Sequence, residues 1–148
     1  MCKFYPEPDH YDQWCMRYRP AIFQRILQYA SLSRRSRVVA IHCATGQMVE
    51  PFLQAGCRVD AIEPNMVLAR YTGEKFKRYL DCTVYPLPFD RYVPPEGEID
   101  LIVSADSSIC LTAFPKLVRM LRAGGSLAFL GYRSTIKNGH QTFPALPS

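Results

Sequence analysis

The chain has 148 residues, 48% of them hydrophobic and 21% charged, with a net charge of +5. That length suits one domain around a single core, and that composition excludes the disordered and fibrous classes. No apolar run approaches the ~20 residues of a membrane span, and the N-terminus lacks the apolar stretch of a secretion signal, so a cytoplasmic location is expected.

The positive charge is spread along the chain with no aromatic-basic run, so nucleic acid is not an expected partner. Its densest stretch, Ser33-Arg34-Arg35-Ser36-Arg37, reads as a solvated loop. Cys2, Cys15, Cys43, Cys57, Cys82 and Cys110 are scattered, without a C-x-x-C pair or histidines at zinc-site spacing. Reduced thiols and no metal site are expected.

Residues 1–19 are rich in aromatics and carry Pro6 and Pro8, which predicts an irregular arm with one helical turn near Tyr11–Met16. From Pro20, a tolerated first-turn proline, Ile22, Phe23, Ile26, Leu27 and Ala30 recur at helical spacing, predicting a helix over Pro20–Ser31. Val38–Ile41 reads as a first strand, followed by a turn ending in Gly46. Met48, Val49, Phe52 and Leu53 then repeat with helical period up to a stop at Gly56.

Arg58–Ile62 alternates as a second strand closed by Glu63, Pro64 opens a short helix through about Tyr71, and Leu80–Val84 is a third strand. Pro86, Pro88, Pro94, Pro95 and Gly97 mark a loop. Ile99–Ala105 reads as a buried strand. Leu111–Leu121 is a helix whose apolar face is Phe114, Leu117, Val118 and Leu121, capped by Ala123-Gly124-Gly125, and Ser126–Tyr132 is a fifth strand. The tail, residues 134–148, has no periodicity and is expected to be irregular.

Strands alternating with helices over residues 20–133 imply an α/β, Rossmann-like doubly wound domain. Its sheet has about five mostly parallel strands and a ligand crevice beyond their carboxyl ends. On this reading the turn His42–Gln47, Glu63, Asp81 and Ser104 share one mouth.

Several blocks then stand in a telling order: Tyr18-Arg19-Pro20 before a helix, VVAIHCATGQ, GCRVDAIEPN, Asp81 before PLPFD, IDLIVSA, and LVRMLRAGGSLAFLGY. With them the chain, from Tyr18 to Tyr132, resembles class I S-adenosylmethionine-dependent methyltransferases, most closely those with the methyltransferase type 11 domain. The resemblance implies S-adenosylmethionine as cofactor and a small molecule as methyl acceptor. It implies that Glu63 accepts from the ribose hydroxyls, a role an ionised carboxylate suits. It further implies that Asp81 accepts from the adenine amine and that Ser104 and Ala105 line the sulfonium pocket. The loop residues His42, Cys43, Ala44, Gly46 and Gln47, with Pro64 and Asn65 after the strand-end acid, complete the implied cofactor set.

The chain also departs from that family. Where the family loop reads acidic-x-Gly-x-Gly-x-Gly, the corresponding positions here are Ala40, His42, Ala44 and Gly46. The acid that receives the cofactor's ammonium group is absent. Side chains at His42 and Ala44 crowd a loop that calls for positive φ, at about 1 kcal/mol each. His42 alone reads as a tolerated loop side chain, and Cys43 as packing. The family's two strands beyond the fifth are missing, which leaves open a short sheet edge or one completed by a second copy or a protein partner.

The acceptor is expected between the arm (Tyr11, Trp14, Tyr18, Arg19) and the loop Asp106-Ser107-Ser108. No catalytic residue is singled out, because in-line methyl transfer needs chiefly alignment and exclusion of water. The altered loop also admits a different class, an inactive methyltransferase-fold binding or regulatory protein. A nicotinamide dehydrogenase is disfavoured: its G-x-G-x-x-G would fall on His42, Ala44 and Gln47. The Tyr71…Lys75 pair that mimics short-chain dehydrogenases follows the second strand, on the wrong side of that fold.

Overall fold

A computed structural model describes residues 7–14, 17–131, 135–137 and 140–142. Five strands, β1 (Arg37–Ile41), β2 (Arg58–Ile62), β3 (Cys82–Tyr85), β4 (Ile99–Ser104) and β5 (Leu121–Phe129), pair in parallel in the order β3-β2-β1-β4-β5. The helices are α1 (Pro8–Trp14), α2 (Pro20–Tyr29), α3 (Glu50–Gln54), α4 (Met66–Lys75) and α5 (Ser108–Met120), and a 3-10 turn spans Phe89–Arg91. The order reverses at β1, whose neighbours are β2 and β4, so the topological switch point lies between β1 and β4.

Apolar runs such as Val38-Val39-Ala40-Ile41 are continuous because both faces of the sheet are covered. Val38, Ala40, Val59 and Ala61 point into one core with Phe23 of α2, Phe52 and Leu53 of α3, and Phe76 beyond α4. Val39, Ile41, Ile62 and Ile102 point into the other, with Leu117 and Met120 of α5 and with Phe89 and Tyr92 of the β3–β4 connection. Each fully buried branched or aromatic side chain contributes about 1.5–3 kcal/mol. Phe52 is fully buried and meets Phe23 edge to face at 5.8 Å.

Several boundaries differ from the sequence reading. The arm carries a seven-residue helix, α1, rather than a single turn. The stretch before α3 is a series of turns, so Met48 and Val49 are buried without being helical. Helix α4 starts later, because the Asn65 side chain accepts from Val67 N and Leu68 N and caps it, and it runs on to Lys75. Helix α5 is kinked at Ala113, just before Phe114-Pro115: proline cannot donate to the preceding turn, and it opens the second segment instead. The kink turns Leu117 inward and leaves Phe114 and Val118 about half exposed, against the expected face. Within the tail, β6 (Thr135–Lys137) and β7 (His140–Thr142) form an antiparallel hairpin where irregular chain was expected. The last tail residues, 143–148, lie outside the described residues.

Candidate functional site

The loop after β1 curls back through alternate left-handed residues: His42 at φ +56°, Ala44 at +51° and Gly46 at +87°. Only Gly46 takes such a φ without strain. It is also the position that admits no side chain, since a Cβ there would lie 2.3 Å from Phe76 Cε2. The curl is held from three sides. Cys43 N donates to Ile62 O at 3.2 Å, tying the loop to the end of β2. Thr72 Oγ1 of α4 donates to Ala44 O at 2.7 Å. Ala44 N donates to Glu63 Oε1 at 2.8 Å.

Glu63 ends β2 beside this loop and is only 6% exposed. Its second oxygen accepts from Asn65 N at 2.8 Å, so the carboxylate joins the cofactor-type loop to the start of α4. A buried carboxylate that was not hydrogen-bonded would cost several kcal/mol, and these two bonds offset that cost. Pro64 and Asn65 are exposed next to it, Asn65 serving as the α4 cap.

Across the switch point stands the loop after β4. Ser104 is fully buried and its Oγ accepts from Asp106 N at 3.0 Å. Asp106 Oδ1 in turn accepts from Ser108 N at 3.0 Å and Ser108 Oγ at 2.5 Å. Its Oδ2 lies 3.3 Å from His42 Nδ1, so one polar contact spans the gap between the β1 and β4 loops. The Ser108 hydrogen bonds, aided by His42, hold the Asp106 carboxyl below its ordinary value although burial opposes them. Cys43 is buried, and burial, reinforced by the Glu63 charge, pushes its thiol far up, so it is no ready nucleophile.

Two residues of the expected set stand elsewhere. Asp81 precedes β3, at the amino end of the sheet, where its carbonyl accepts from Val59 N and its exposed carboxylate lies 3.8 Å from Arg58. With the four residues of β3 between it and the mouth, it is roughly 13 Å away from Glu63's end of the sheet. Gln47 turns from the mouth toward a cavity between α2 and α3 that is also lined by Tyr18, Arg19, Phe23 and Glu50. Its Nε2 is buried with no hydrogen-bond partner among the described residues. The side chains of Tyr11 and Trp14, expected near the acceptor, lie outside the described residues.

The sequence reading missed the clamp behind the loop. Asp12 of α1 accepts from Lys75 Nζ at 3.1 Å and from Tyr71 OH at 3.3 Å, while Lys75 Nζ also donates to Thr45 O at 3.3 Å. The usable signal was Tyr71, Thr72 and Lys75 at helical spacing, three polar side chains on one face of α4. No group of acidic, histidine and cysteine side chains among the described residues could hold a metal ion, and no described helix is long and apolar enough to cross a membrane.

No protein-family model matches the sequence, and no curated protein matches it. Solved structures do match its fold. A protein of Methanococcus maripaludis, proposed to be an S-adenosyl-L-methionine-dependent methyltransferase, superposes with a TM-score of 0.66 at 18% identity, over 76% of this chain and 54% of that one. A S-adenosylmethionine-dependent methyltransferase of Aquifex aeolicus gives 0.64 at 14% identity, over 82% and 77%. The geranyl diphosphate C-methyltransferase of Streptomyces coelicolor, solved with S-adenosyl-L-homocysteine, gives 0.62 at 15%, over 72% and 41%. The chain thus has the Rossmann-like fold of these methyltransferases, and it spans about half the length of the first of them.

Proposed function

We propose that the chain binds S-adenosylmethionine at the carboxyl ends of β1 and β2 and transfers its methyl group to a small-molecule acceptor. The observation that carries this reading is Glu63: a buried carboxylate at the end of β2, hydrogen-bonded to a left-handed loop. An ionised carboxylate accepts about four hydrogen bonds, and Glu63 uses one on each oxygen, so capacity remains for a ribose diol. The loop has the curl that lets a nucleoside approach backbone, with His42 and Ala44 strained into it. The nucleoside half of the cofactor therefore fits these residues. At the amino-acid half the chain differs, because Ala40 is buried in the apolar core and offers no acid to an ammonium group.

Bound there, the cofactor would supply an electrophilic methyl group on sulfur. The chain's own contribution is to hold the nucleoside by Glu63 and to shut water out with the loops after β1 and β4. Ala40 also favours a second reading, a methyltransferase-fold protein that binds a nucleoside without catalysis.

Calorimetric titration of S-adenosylmethionine, S-adenosylhomocysteine and adenosine into the protein tests both. Micromolar binding of the first two, weakened tenfold or more by Glu63→Gln in a variant that melts like wild type, supports the methyltransferase reading. Equal affinity for adenosine and S-adenosylhomocysteine favours the binding protein. No binding of any of the three up to millimolar concentration overturns both.

A further inference from the structure

We propose that His42 and Asp106 form an acid–base pair that removes a proton from the methyl acceptor, with His42 the catalytic residue and Asp106 the positioning residue. This deepens the methyl-transfer reading and rests on it. The two side chains arrive from the loops after β1 and β4, strands that are neighbours at the point where the sheet order reverses. An α/β sheet opens its ligand crevice there.

The geometry is that of an oriented imidazole. Nδ1 of His42 lies 3.3 Å from Oδ2 of Asp106, and Asp106 is itself fixed by Ser108 N, Ser108 Oγ and Ser104 Oγ. A carboxylate beside Nδ1 keeps the neutral ring protonated on that nitrogen and leaves the lone pair on Nε2. Nε2 has no partner among the described residues, and the side chain retains 22% exposure.

The backbone supplies an independent observation. His42 sits at φ +56°, where glycine would be unstrained, and it belongs to neither apolar core. Holding a side chain there costs about 1 kcal/mol. Strain at a residue whose ring is clamped by a dedicated carboxylate points to chemistry.

The ligand class follows: an acceptor whose nucleophilic atom carries a dissociable proton, such as a phenol, an alcohol or a protonated amine. In the step, the acceptor's heteroatom–hydrogen bond breaks and the proton passes to Nε2, its electron pair staying on the heteroatom. That pair forms the bond to the methyl carbon as the donor's carbon–sulfur bond breaks, leaving a neutral thioether. The imidazolium then gives its proton to water.

The test uses the purified full chain. Diethyl pyrocarbonate acylation is mapped onto His10, His42 and His140 by mass spectrometry, and the ring tautomer of His42 is read by 15N NMR. The expected result is a His42 protonated on Nδ1 and acylated fastest of the three. Asp106→Asn should slow that acylation about tenfold and shift the ring toward Nε2 protonation, Asp106→Glu should restore both, and S-adenosylhomocysteine should protect the ring. A His42 protonated on Nε2 in the wild type, or one whose acylation ignores Asp106→Asn, overturns the pair even if the nucleoside binds. A reactive, Asp106-dependent His42 in a protein that binds no S-adenosylhomocysteine overturns its assignment to a methyl acceptor instead.

Discussion

Three residues, His42, Ala44 and Gly46, decide the shape of the β1 loop, and only one has the side chain that shape prefers. Ala44→Gly should therefore raise stability by about 1 kcal/mol, seen as a higher midpoint in urea at unchanged slope. Gly46→Ala should do the reverse and cost about 2 kcal/mol or more, since its methyl must displace Phe76 as well as adopt φ +87°. A neutral Ala44→Gly would mean that the loop relaxes out of the left-handed region in solution. This curl was legible in the sequence, because alternate positions of one short loop matched alternate glycines. Glu63 was legible too, as the acid closing β2. Asp81 was not: a motif-like spacing before PLPFD put it at the mouth, whereas β3 begins only at Cys82 and carries the chain away from it. The expected strand Leu80–Val84 already had Asp81 near its start, so the error lay in following the motif spacing rather than the direction of the strand.

At the level of elements, the arm owes its place to one cluster of charges. Burial raises the Asp12 carboxyl, but the hydrogen bonds from Lys75 and the charges of Lys75 and Arg17 outweigh it and hold the group below its ordinary 3.8. A depressed folded value contributes stability that is complete above the ordinary value and lost as pH falls through the folded one. Helix α1 should thus stay docked on α4 at pH 7 and at pH 5, and release below about pH 4. Amide exchange across Pro8–Trp14, measured by mass spectrometry at pH 3 and pH 5 after correction for intrinsic rates, checks the window. Lys75→Met should loosen the same helix at neutral pH at a cost of about 1 kcal/mol, a partly exposed pair being screened by water. Unchanged protection in Lys75→Met would show that apolar contacts alone dock the arm. Only half of this was legible: Tyr71, Thr72 and Lys75 share a polar face of α4, but Asp12 stands 63 positions from Lys75 and nothing local pairs the two. Helices and strands with strong apolar periodicity were read correctly in kind. The helix α5 face was misread because Pro115 resets the helical phase at Ala113.

For the whole molecule, the consequence of that reset is an apolar stripe facing outward. Leu111, Phe114 and Val118 of α5 are 90%, 51% and 50% exposed, and they sit on the helix that packs beside β5, an edge of the five-stranded sheet. A half-covered edge next to an apolar helix face is a self-complementary surface, and a second copy related by a two-fold axis would cover both at once. We therefore expect a concentration-dependent dimer. Because the chain carries a net charge of +5 and α5 exposes Arg119, like-charge repulsion opposes the association, so the dimer should tighten as salt rises from 50 to roughly 500 mM. Phe114→Glu should raise the dissociation constant tenfold or more while changing monomer stability by less than about 0.5 kcal/mol, as a surface substitution does. Sedimentation equilibrium from micromolar to about 100 micromolar decides the matter. Association that weakens with salt would point to charge pairing elsewhere, and a monomer throughout that range would leave the stripe to a different protein. The apolar face would then have to be matched by a complementary apolar helix, since the sheet edge beside it can be extended only by backbone hydrogen bonds that any strand supplies.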